Sequence, residues 1–92
     1  MDSVADLVHE EALRELAEAG AYEEGTKWAD QERLIELAEF GPLRVTGWVH
    51  GCEVELRSTG DELAWSCSCP SAGTQLCAHT VALAIETQRR AP

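Results

Sequence analysis

The chain has few basic residues and no long apolar run. Seven Lys and Arg stand against 17 Asp and Glu, for a formal net charge of −10. A phosphate backbone repels so acidic a domain, which disfavours stand-alone, non-specific nucleic-acid binding. No apolar stretch approaches the roughly 20 residues needed to span a bilayer, so no membrane segment is expected. The first ten residues, MDSVADLVHE, lack the basic and apolar regions of a secretory leader. Met1 reads as the native start of a complete small protein, with the cytoplasm as its expected location. There is no H-E-x-x-H pair, no H-x-E…C-x-x-C deaminase signature and no glycine-rich phosphate loop. No internal repeat or low-complexity segment is present. A chain of 92 residues is also short for an enzyme with its own substrate cleft. The expectation is a protein that is not an enzyme.

What the chain does have is a concentrated set of metal ligands. Cys67, Cys69, Cys77 and His79 form a C-x-C-x7-C-x-H pattern. Three thiolates and one imidazole are a ligand set that closes a tetrahedral structural zinc site. The spacing suits convergence. On an extended strand Cys67 and Cys69 point to the same side. Pro70, Ser71 and Gly73 then allow the chain to reverse. Cys77 and His79 fall where a helical pattern begins, and a helix start favours thiolate through its free N–H groups and partial positive charge. In a cytoplasmic chain four cysteines point to metal before disulfides. One structural zinc ion is therefore expected on Cys67, Cys69, Cys77 and His79, with a disulfide as the minor alternative. Four protein ligands would leave no open position for an activated water, so a catalytic role is not expected. The fourth cysteine, Cys52, is in phase with Val54 and Leu56 and reads as a small buried hydrophobe, although it could replace His79 in a four-thiolate site. His9 and His50 read as solvated residues.

Residues 3–19 carry the pattern of one amphipathic helix, with Val4, Leu7, Val8, Ala12, Leu16 and Ala19 as its stripe. Ser3 is its N-cap, Asp6 a capping-box acid and Gly20 its stop. Residues 21–32 suggest a short helical segment and a connection, since Gly25 opposes a long helix. Residues 33–40 have mixed signals. Their composition favours helix, but a strand would pair through the Gly41–Pro42 turn, and strand is preferred. Residues 43–50, 52–58 and 62–67 alternate as strands of an antiparallel meander. Trp48 and Trp65 are expected on facing strands as a cross-strand pair, with an exposed hot spot for a partner as the functional alternative. A last helix covers 77–89, with Val81, Ala82 and Ile85 at helical steps, Arg89 and Arg90 near its end and Pro92 beyond it. The fold class is α+β: an N-terminal helical segment, a short antiparallel β-meander and a C-terminal helix joined by the zinc site. Residues 1–92 form one domain, with an acidic helical segment at 1–32 and the finger core at 33–92.

A meander, a C-x-C hairpin and a C-x-H that opens a helix resemble the SWIM-type zinc finger. Beyond the four ligands, Pro70 follows the second cysteine, Gly73 lies in the connecting loop, and Val81 to Ile85 form a small apolar helix after the histidine. The resemblance runs from Val45 to about Ile85. It implies zinc on Cys67, Cys69, Cys77 and His79. It also implies a module like those of Swi/Snf-class ATPases, Mutator-like transposases and recombination accessory proteins, which contact DNA or other proteins. These 92 residues leave no room for an ATPase or transposase domain, so neither activity is expected of them.

Charge then separates the functional alternatives. Residues 1–40 carry twelve acids against three basic residues, a net −9, whereas residues 41–92 are near balance at −1. A zinc ion on three thiolates would add about −1. The acidic half either contacts a basic partner or serves solubility, including in a high-salt host. A protein-interaction adaptor, within a DNA-associated assembly, is the first reading. A nucleic-acid-binding finger is the second, with Arg44, Arg57, Arg89 and Arg90 as its phosphate contacts. A redox or zinc sensor is the third.

Overall fold

The computed structural model describes residues 3–69 and 75–90. The reversal expected at Pro70, Ser71 and Gly73, and the stop at Pro92, lie outside those residues. The order is α1 (Val4–Leu7), α2 (Glu10–Leu16), α3 (Ala21–Ala29), β1 (Ile35–Phe40), β2 (Arg44–Val49), β3 (Cys52–Ser58), β4 (Leu63–Cys67) and α4 (Ala78–Arg90). A single 3₁₀ turn at Glu32–Leu34 leads into β1. The four strands form one antiparallel meander in sequence order. The class is α+β, as the alternation and helical patterns indicate.

The N-terminal helix differs from expectation. It begins as the sequence suggests, on a capping box: Asp6 N–H donates to Ser3 Oγ at 3.3 Å, and Ser3 N–H donates to Asp6 Oδ2 at 3.2 Å. It then breaks after Leu7, and α2 restarts with His9 as N-cap, whose Nδ1 accepts from Ala12 N–H at 3.3 Å. The reason is phase. Val4 and Leu13 are both fully buried. Nine residues at about 100° each would put them on opposite sides of a straight helix. The break turns both into one core. It also ends α2 at Leu16, so Gly20 does not stop this helix but precedes α3, with φ of 82°.

Three other expectations are settled by packing. Residues 35–40 are a strand, with a bulge between Leu37 and Glu39 in the pairing to β2. α3 runs unbroken through Gly25, because Gly25 is where α3 meets α4: a Cβ there would lie 2.6 Å from Val81 Cβ and 2.9 Å from the Ala78 carbonyl oxygen. Trp48 and Trp65 do not pair. They sit on β2 and β4, which are not neighbours, and Trp65 lies opposite Leu56 on the core side of the sheet. Trp48 lies opposite Glu36 and Glu53 on the other side.

α4 is the centre of the molecule. Every residue from Thr80 to Thr87 is buried, and α4 packs against α3, α1 and the sheet. Val45, Val49, Val54 and Leu56 project from the sheet into the same core as Val4, Val8, Leu13 and Leu76. His50, with φ of 49°, and Gly51, with φ of 86°, form the two-residue left-handed turn that closes the β2–β3 hairpin. This layering brings the end of β4 alongside the start of α4.

Candidate metal centre

Cys67 ends β4 opposite Val54. The next residue stays tied to β3: Ser68 N–H donates to the Glu53 carbonyl at 3.0 Å, and Ser68 Oγ accepts from Glu53 N–H at 3.0 Å. The chain therefore remains extended, and Cys69 returns to the side occupied by Cys67. Across the gap, Leu76 is fixed by two backbone bonds. Its N–H donates to the Leu16 carbonyl at 2.9 Å, and its carbonyl accepts from Glu18 N–H at 3.0 Å. Leu76 is also fully buried. Cys77 is thus delivered by a pinned neighbour, and His79 follows in the first turn of α4.

The ligand atoms of Cys67, Cys69, Cys77 and His79 all lie within 4.8 Å of one another. Cys69 and Cys77 are buried, while Cys67 and His79 are partly so. Cys69 Sγ and Cys77 Sγ are 3.6 Å apart, and Cys77 Sγ is 3.9 Å from His79 Nδ1. All four cysteines are free. A tetrahedral ion with zinc–ligand bonds of about 2.3 Å to sulfur and 2.0–2.1 Å to nitrogen separates its ligand atoms by roughly 3.5–3.8 Å. The Cys69–Cys77 separation falls in that range and the Cys77–His79 separation lies just above it, so the group is of a size that can hold a metal ion. Cys52, His9 and His50 lie outside the group of four. Cys52 is half-buried in phase with Val54 and Leu56.

The electrostatics favour a cation. Burial first, and then the thiols of Cys69 and Cys77, push the Cys67 thiol well above the usual cysteine range. Three thiolates packed together need a compensating positive charge. Burial, followed by the charge of His50, lowers the His79 pKa and favours the neutral imidazole that metals bind.

No protein-family model, curated protein or solved structure matches this chain. The chemistry of the site therefore stands on its own residues.

Two neighbours were not visible as site residues in the sequence. Thr80 is fully buried, with Oγ1 3.3 Å from Cys77 Sγ. When Cys77 is a thiolate, this hydroxyl is the donor. Its place one residue after the histidine was the available signal, but threonine at a helix start has many other uses. The Trp28 ring lies tilted against His79, with ring centroids 4.8 Å apart, and against His50 at 5.2 Å. It limits the positions the imidazole can take. Nothing in the sequence joins residue 28 to residue 79.

Thr80→Val tests the hydroxyl. Loss of a hydrogen bond to a ligand commonly lowers metal affinity by about 10–100-fold. The variant is expected to keep one metal per chain but bind it at least tenfold more weakly against a chromophoric chelator, with Thr80→Ser restoring most of the affinity. Equal affinity in Thr80→Val would show that the hydroxyl contributes nothing to the thiolate.

Proposed function

We propose that Cys67, Cys69, Cys77 and His79 hold one structural zinc ion, and that the protein is a SWIM-type module acting as a protein-interaction adaptor within a DNA-associated assembly. The convergence of three sulfurs and one imidazole within 4.8 Å carries this reading. Zinc suits the mixed sulfur and nitrogen set and the small ligand spacing. Bound there, the ion would supply a cross-link and charge neutralisation. With all four positions filled by protein, no site remains for a substrate or water, in keeping with a protein that is not an enzyme.

The side chains contribute the architecture. Cys67 and Cys69 extend the sheet into the site, while Cys77 and His79 commit the first turn of α4 to it. α4 is the helix on which the other elements pack. Holding its first turn against the end of β4 therefore holds the sheet to the helical layer. This gives a rigid scaffold whose exposed faces are free for recognition.

The arginines favour a protein partner over nucleic acid. Arg44 pairs with Glu55 at 2.8 Å, Arg57 with Glu55 at 3.1 Å, Arg89 with Asp30 at 2.9 Å and Arg90 with Glu86 at 2.8 Å. All four candidate phosphate contacts thus already face carboxylates of the chain. Fluorescence anisotropy with labelled single- and double-stranded DNA at low salt tests the point. The metal-loaded protein is expected to show no binding at about micromolar concentrations, where even non-specific DNA binders begin to associate. Binding at that level would reject the adaptor reading.

A further inference from the structure

The outer face of the sheet carries two similar arrangements along β2, and only one is complete. At its start, Arg44 lies between carboxylates: Glu55 at 2.8 Å and Glu39 at 3.7 Å. Two alternations further on, Trp48 takes the place of the arginine. Its direct cross-strand neighbours are Glu36 on β1 and Glu53 on β3. Both acids are exposed, and neither forms an ion pair among the described residues. Trp48 is itself 46% exposed. A shallow cleft of about 400 Å³ opens beside it, bordered by Arg33, Leu34, Glu36, Trp48, His50 and Gly51. Arg33 borders the cleft without an ion pair to Glu36 or Glu53.

From this we infer that Trp48, Glu36 and Glu53 form a docking site for an arginine-bearing segment of a partner protein, laid over the outer face of the sheet. The inference rests on the adaptor reading and names its partner by charge. A guanidinium stacks on an indole face and donates to carboxylates in its own plane. Directly opposite residues on neighbouring strands stand about 4.5–5.5 Å apart at Cβ. A guanidinium over Trp48 can therefore reach the carboxylate on either side. The pair of acids excludes a phosphate at the same place and makes the site cation-selective. Tryptophan is among the residues most often found at the energetic centre of protein interfaces.

The probe is a short fluorescein-labelled peptide of alternating arginine and threonine, titrated into the full-length metal-loaded protein. Trp48→Ala leaves the net charge unchanged and is expected to weaken binding roughly tenfold, the scale of a partly desolvated cation–π contact. Trp48→Phe is expected to recover part of that loss. Glu36→Gln with Glu53→Gln is expected to weaken binding several-fold more than Glu23→Gln with Glu24→Gln, an equal charge change on the exposed surface of α3. Metal content and thermal midpoint verify that each variant is folded. Equal binding by Trp48→Ala, or equal effects of the two glutamine pairs, would overturn the site by showing only diffuse attraction to an acidic protein. Either of these results, with DNA still unbound, removes this surface alone. DNA binding in the anisotropy assay removes the adaptor reading, whatever the peptide does.

Discussion

Cys69→Ser is expected to release the metal and abolish cooperative folding of at least the C-terminal half of the protein. Cys69 is the buried member of the C-x-C pair, 3.6 Å from Cys77 Sγ. A serine hydroxyl in its place is a poor ligand for a soft-ligand site. Structural zinc sites of this type contribute about 10–16 kcal/mol of apparent binding free energy near neutral pH, because the site exists only in the folded chain. A domain of this length has a total stability of only about 5–14 kcal/mol. Loss of the metal is therefore larger than, or comparable with, everything else holding the fold together. The consequence follows the architecture. α4 would lose its anchored first turn, and its buried run from Thr80 to Thr87 serves both the sheet and the helices. Circular dichroism should show loss of helix and no cooperative melt over that region, and excess chelator should do the same to the unsubstituted protein. A native-like cooperative transition in either sample would contradict the expectation.

Gly25→Ala is the second large effect. In an isolated helix this change stabilises by roughly 0.8–1.0 kcal/mol through propensity. Here the sign should reverse. The added Cβ would stand 2.6 Å from both Val81 Cβ and Val81 Cγ1, and 2.9 Å from the Ala78 carbonyl oxygen. Carbon atoms pack best at about 3.5–4.0 Å, so the overlap is close to 1 Å. Val81 Cβ and the carbonyl are fixed to the backbone, and no rotamer change relieves them. α3 must move away from α4. Overpacking of this kind costs about 1–3 kcal/mol, and separation of the helix pair adds to it. The thermal midpoint should fall by on the order of 10 °C, since 1 kcal/mol corresponds to roughly 4–8 °C at this size. Ala78 lies between Cys77 and His79 in sequence, so metal affinity should fall as well. Lys27→Ala, on the exposed side of the same helix, should change the midpoint little. A Gly25→Ala protein as stable as its parent would refute the close-packing account.

These two positions also show what the sequence could and could not reveal. The ligand group was legible because its logic is local. Two cysteines at strand spacing and a cysteine and histidine at a helix start need only one chain reversal to meet. The strands were legible from alternation, and β1 was correctly placed because Gly41 and Pro42 offered a turn to a partner strand. The short helix at Ala21–Ala29 and the connection after it follow the sequence reading, but the packing role of Gly25 was not legible, because it is set by Val81, far along the chain. The break at Val8–His9 was hidden for a related reason. The stripe from Val4 to Ala19 omitted Leu13, and burial of Leu13 with Val4 is what a straight helix cannot provide. Trp48 and Trp65 were paired in expectation because alternation gives the face only within a strand. The register of the intervening strand places them on opposite sides.

The central claim is that one ion clamps the end of β4 to the first turn of α4. Metal analysis by inductively coupled plasma mass spectrometry, together with the intact mass of the same purified protein, tests it most directly. The account predicts one zinc ion per chain and a mass corresponding to four unbridged cysteines. A metal-free folded protein, or a mass lowered by the two hydrogens of a disulfide, would contradict it.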